Sequence, residues 1–213
     1  FLEQATAVAT EAVSQPPAPL SNQAVLVDNV AELAAQGYTV VNSLDEFKAA
    51  IVTDNAKLVL GCDISYGGDL NITGANVTIN GGGHTITYTS RNYLRAKGEN
   101  CTVSNLHITA SGATEFGDQM FSAEAAGFRM DNVKIDRSNV RSWNCIGVYM
   151  SNGGELSNID INIEGKGNCP IGVLCNAGTV SLRNIAMNLS VEGNTGVGIY
   201  AGGSSKVTVS DIG

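Results

Sequence analysis

Side chains capable of chemistry are thinly spread along these 213 residues. The densest charged grouping is Asp131, Asp136 and Asp160, with Arg137 and Arg141 nearby. Glycoside hydrolysis needs two opposed carboxyl groups, one acid and one base or nucleophile, and no adjacent outward pair here has that form. The five cysteines, Cys62, Cys101, Cys145, Cys169 and Cys175, contain no Cys-x-x-Cys pair, and His84 and His107 are the only imidazoles. Neither a zinc site nor another metal or cofactor is therefore expected. The odd count leaves at least one thiol free or paired with another chain, and the plain role of the rest is small apolar filling. Trp143, Tyr149, Leu174 and Tyr200 are the candidates for a binding face, because such residues stack on sugar rings or pack another subunit.

Composition bounds what can surround these groups. The chain is 43% hydrophobic and 15% charged, with 25 glycines and a net charge of −8. That is apolar enough for a packed core and too poor in charge for a disordered chain. No Lys/Arg cluster exists, which argues against nucleic acid or an anionic membrane surface as partner. No apolar run reaches transmembrane length. The chain begins with Phe1 and shows no signal peptide, so it reads as a processed chain or a fragment.

The elements that must position these residues are set by a repeat. Val103-Ser-Asn-Leu-His-Ile108, Met130-Asp-Asn-Val-Lys-Ile135, Leu156-Ser-Asn-Ile-Asp-Ile161, Leu182-Arg-Asn-Ile-Ala-Met187 and Val209-Ser-Asp-Ile212 recur at intervals of 27, 26, 26 and 27 residues. A fixed period of this size signals a solenoid. Apolar residues alternate with polar ones inside each copy, so the unit is built of strands. Leucine-rich repeats share the period, but their leucine consensus is missing. Ile146-Gly-Val-Tyr-Met150, Ile171-Gly-Val-Leu-Cys175 and Val197-Gly-Ile-Tyr-Ala201 form a second ladder, with Gly/Asn/Ser turns between the two. Each rung thus has about three short strands. Asn105, Asn132, Asn158, Asn184 and Asp211 interrupt the alternation at one fixed place. The apolar residues on either side of each are three apart, and both face the core. A bend must separate them, and Asn and Asp tolerate the left-handed region that makes one. Stacked amides can also hydrogen-bond from rung to rung.

The Asn ladder, together with Val77-Thr-Ile-Asn-Gly-Gly-Gly-His-Thr-Ile86, resembles the pectate-lyase-like superfamily over about residues 38–213. The resemblance implies an all-β, right-handed, single-stranded parallel β-helix of about 26 residues per rung with an N-terminal α-helical cap. Ser43-Leu-Asp-Glu46 is a capping box and opens such a helix near residues 44–52. Residues 1–37 differ in composition and form an N-terminal extension, with a short helix over the first 13 residues and a Pro-rich linker at Pro16–Pro19.

Lyases of the superfamily hold calcium with clustered carboxylates and abstract a proton with an Arg. Asp136-Arg-Ser-Asn-Val-Arg141 lacks their Arg-x-Pro-x-x-Arg pattern. Of the polygalacturonase motifs only Arg95-Ala-Lys97 is matched, ahead of the rungs where the carboxylates should lie. The outward ladders are His107, Lys134, Asp160, Ala186; Thr109, Asp136, Asn162, Asn188; and Thr102, Arg129, Glu155, Ser181, Thr208. Opposite charges on neighbouring rungs read as surface pairing of about 0.2–1 kcal/mol. In the second ladder Gly147, Gly172 and Gly198 are expected to form an outward track beside the rim Tyr149, Leu174, Tyr200.

These observations favour a non-enzymatic structural or attachment module at an extracellular or virion surface. Examples are a phage tail-fibre or tailspike segment and a secreted adhesin, with a surface glycan as a possible ligand. One alternative is a polysaccharide lyase or glycoside hydrolase acting on acidic polysaccharide. Another is a head-to-tail extracellular filament subunit. No cap follows the last ladder motif, so the expectation is either a longer chain or self-association, as a trimer or end to end.

Overall fold

In every rung the apolar residue two before the corner Asn and the one just after it both face inward, so the strand must turn between them. Asn105, Asn132, Asn158, Asn184 and Asp211 do this with φ of +50°, +55°, +53°, +57° and +54°. Two short strands thereby become one bent strand, as in Thr102–Ala110, Arg129–Val140 and Gly154–Gly165. The strand Ile171–Val191 carries two such bends and touches all three faces of the coil. The computed structural model describes residues 24–89, 93–111, 119–140, 145–165, 169–192 and 196–212. The helix expected over residues 1–13, the Pro-rich linker, Arg141 and Trp143 lie outside them.

Among the described residues every strand pairing is parallel, and the chain is an all-β parallel β-helix of about five turns at about 26 residues per turn, as its repeat predicts. Identical register from rung to rung stacks like on like. One inward column runs Leu58, Ile79, Val103, Met130, Leu156, Leu182, all buried. A second runs Leu106, Val133, Ile159, Ile185, and a third Ile86, Ile108, Ile135, Ile161, Met187. Burying each such side chain contributes about 1.5–3 kcal/mol, so these columns dominate cohesion. Phe121 stacks on Phe128 inside the coil, with centroids 5.0 Å apart. No disulfide joins any of the five cysteines, all of which are among the described residues; Cys101, Cys145 and Cys175 are buried. Burial pushes the Cys175 thiol up to about 11, which keeps it protonated and unreactive at neutral pH.

The first end is closed by the helix Leu44–Ala50, which buries Phe47 and is followed by the buried Ile51. Ser43 Oγ accepts from the Glu46 backbone N–H at 3.2 Å, and the Glu46 carboxylate accepts from the Asn42 N–H at 2.7 Å. A shorter helix, Val30–Ala35, has no counterpart in the sequence reading. The segment before it runs along the Asn corner. Val25 N–H donates to Asn132 Oδ1 at 2.6 Å, while Asn132 Nδ2 donates to the Val25 carbonyl at 2.7 Å. Val27 and Asn105 make the same reciprocal pair at 2.9 and 2.7 Å. Two side-chain amides thus treat this strap as a neighbouring strand.

A second left-handed corner lies at the opposite end of the same limb. Asn55, Asn76 and Asn100 occupy it on the first rungs, at φ of +59°, +56° and +56°. Each amide donates to the one below, at 3.0 and 3.3 Å. From the next rung on the left-handed residue is glycine: Gly127 and Gly153 follow Asn100 in register, while Gly178 and Gly203 stand at shifted positions. At Gly127 (φ +73°) a Cβ would meet chiefly the movable Asn100 Oδ1, the arrangement already solved where Asn100 sits above Asn76. Gly127→Asn is therefore expected to extend the ladder by one amide bond worth about 1 kcal/mol, raising Tm by about 2–4 °C. Thermal unfolding followed by circular dichroism reads this directly, and a fall in Tm would show that the corner rejects a side chain.

Candidate functional site

The third face, after the Asn corner, carries His107, Lys134, Asp136 and Asp160. His107, Lys134, Asp160 and Ala186 lie in register on one line, and Thr109, Asp136, Asn162 and Asn188 on the next. Their significant contact is diagonal: His107 Nε2 lies 2.7 Å from Asp136 Oδ2, and Thr85 Oγ1 lies 3.4 Å from His107 Nδ1. Same-face alternation lines these residues up by column, so the sequence reading missed the diagonal. Side chains at diagonal positions are within reach of one another, and that is the signal that would have found it.

His107's hydrogen bond holds the Asp136 carboxyl below the usual carboxylate range, helped by Asn162 and Lys134 against the cost of desolvation. A depressed folded pKa means that the contact stabilises the fold above the unfolded value of about 3.9. That contribution is lost as pH falls through the lower folded value. The Asp136 side chain is 43% exposed, so solvent screening limits the effect to less than about 1 kcal/mol. Urea unfolding of wild type and Asp136→Asn should differ at pH 6 and converge near pH 2. An equal gap at both would remove the His107 contact as its cause.

The other acidic and basic candidates do not assemble into a reaction centre. Asp131 lies across the Asn132 corner from Asp136. It accepts from Ser157 Oγ at 2.5 Å and Asn158 Nδ2 at 2.7 Å. Asp160 sits opposite Lys134, diagonal to Asp136. The expectation that Arg137 stands at the surface with these carboxylates is corrected: its side chain is 2% exposed and occupies an inward position opposite Ile163. Among the described residues no three His, Cys, Asp or Glu side chains converge on one point. The corner amides are also not one unbroken chain. Asn184 donates to Asn158 at 2.6 Å, and Asn132 donates to Asn105 at 3.4 Å as well as to the strap, but Asn158 turns to Asp131, so the ladder breaks between Asn158 and Asn132.

The first face carries the apolar stripe. Tyr149, Leu174 and Tyr200 are consecutive in register. Tyr149 and Leu174 are half-buried and Tyr200 is 52% exposed. The line continues to Ser122, Arg95 and Asn71, a polar half that the sequence reading missed because these rungs lack the Ile-Gly-Val pattern. Arg95 stacks its guanidinium 4.3 Å above the Tyr93 ring and lies 4.0 Å from Glu124. The outward glycine track is corrected at two rungs. Gly147 and Gly172 are buried, and a Cβ there would press on Ile161 and Met187. Only Gly198 is exposed.

A parallel coil with a left-handed Asn corner on successive rungs and a capped first end defines a pectate-lyase-like β-helix. The family can be given more closely. Residues 38–144 match the family model of the pectate lyase-like adhesive domain, half of the chain, and the protein belongs to that family. Searches of curated proteins and of solved structures return no match. Membership supports, at a coarse level, an adhesin-like attachment role at a surface or outside the cell. No helix among the described residues is long and apolar enough to cross a membrane.

Proposed function

We propose that this chain is a non-enzymatic adhesin module that attaches through its first face, with a further copy of the same chain as the first target. The observation that carries the reading is the in-register stripe Tyr149, Leu174, Tyr200, which beyond the buried Ser122 gives way to the half-buried polar Arg95 and Asn71. Exposed apolar stripes with polar borders mark interfaces. An enzymatic reading has less support, because Asp131 and Asp136 are engaged in hydrogen bonds along the coil and Arg137 points inward. Beads coated with the full chain are expected to clump, and Tyr149→Ser combined with Tyr200→Ser to disperse them at unchanged Tm. Clumping that survives the double substitution would move the adhesive face elsewhere. Calcium-dependent turnover of pectate or alginate, abolished by Asp136→Asn, would replace the reading with a lyase.

A further inference from the structure

On the second face, where the corner ladder changes from Asn to Gly, the surface drops into a depression of about 560 Å³. That volume falls within the range of small-ligand sites, about 300–1,000 Å³. Asn100, the last corner amide, forms one wall, and Asn152 lies in the turn two rungs on. The floor is bare backbone at Gly127 and Gly153. Outward along the limb stand Thr102, Arg129, Glu155 and Ser181, consecutive in register.

The lining is chemically specific. Amides and hydroxyls each donate and accept, and no apolar side chain is offered, since Phe128 is buried beneath the floor. The only cation, Arg129, is matched by Glu155 at 3.3 Å, so the site has no net charge to attract an anion. A hydrophobic ligand gains nothing here, and a polyanion would have to compete with Glu155 for its single counter-charge. Hydroxyl-rich neutral molecules match both the mixed polarity and the charge balance. The polar groups recur every ~4.8 Å, the spacing of adjacent strands, which is close to the length of one pyranose unit in an extended chain.

We propose that this depression binds a neutral extended oligosaccharide along the coil axis, one sugar per rung, between the Asn100 wall and Ser181. The site lies on a different face from the adhesive stripe and stands or falls independently of it. Gly127→Asn makes an unusually clean test, because it places a side chain in the depression while the ladder it extends holds the fold.

Calorimetric titration of the full chain with cellohexaose, mannohexaose and chitin hexamer, and with hexagalacturonate as the anionic comparison, decides the matter. At least one neutral hexamer should bind more tightly than hexagalacturonate. Gly127→Asn should weaken it at least tenfold with Tm unchanged or raised, and Arg129→Ala should weaken it without shifting preference toward the anion. The proposal is overturned if none of the neutral hexamers binds, if hexagalacturonate binds best, or if binding is indifferent to both substitutions. Should Gly127→Asn fold poorly, Ser181→Val, which removes a hydroxyl from an exposed strand position, tests the same contact.

Discussion

Asn105→Ala should lower Tm by about 10 °C or more, a larger loss than at any other Asn of the ladder. Asn105 is 4% exposed at φ +50° and bonds the Val27 N–H and carbonyl, Asn29 and Asn80. Alanine in the left-handed region costs about 1–2 kcal/mol. Losing the hydrogen bonds to Val27, Asn29 and Asn80 adds about 0.5–1.5 kcal/mol each, and 1 kcal/mol is worth about 2–4 °C in a chain of this size. Asn105→Gly separates the two effects, since glycine keeps the backbone angle and loses only the bonds; its loss should be intermediate. Asn158→Ala should cost less, because Asn158 bonds only the side chains of Asp131 and Asn184. Equal losses at 105 and 158 would mean that the strap contributes nothing.

Phe121→Ala is expected to cost about 3–5 kcal/mol for the cavity, with a further 0.5–1.5 or so for the lost aromatic pair. Phe121 is fully buried, stacked on Phe128 and held in a column between Leu94 and Val148. Rungs of a solenoid contact only their neighbours, so the damage should be local. Hydrogen exchange should accelerate first at residues 94–96, 119–123 and 146–150, and less at 39–60. Phe121→Leu, which refills most of the volume, should recover most of the loss. A deficit under about 1 kcal/mol for Phe121→Ala would show that the column closes over the gap.

Where a residue type has few alternatives, the fold is legible in the sequence. An Asn every 26 or 27 residues between two inward apolar positions admits a left-handed corner and little else, and that corner determines the coil. The first rungs are harder to read because their corner is built by Gly81-Gly-Gly83, with Gly82 at φ +59°. Arg137 shows a different failure. Val133 and Ile135 face inward, so alternation alone puts Arg137 inward too; its charge argued for the surface and packing overrode it. Gly147 fails in the opposite sense. Alternation from Val148 puts it outward, yet Gly147 and Val148 are both buried and a Cβ on Gly147 would meet Ile161, so the in/out alternation breaks within this strand although its register does not. The His107–Asp136 contact is legible as a diagonal pair on neighbouring rungs, and reading by columns alone passes over it.

The strap at Val25 and Val27 has a consequence for how freely this protein can vary. Its reciprocal bonds to Asn132 and Asn105 involve only main-chain N–H and carbonyl groups, and the two valine side chains are 66% and 50% exposed. The docking therefore reads the presence of a peptide bond and is blind to what hangs from it. Nearly any residue can stand at 25 or 27, and the outward texture of this edge can be rewritten without loosening the segment. Proline, which has no N–H to give, is the one letter the corner amides refuse.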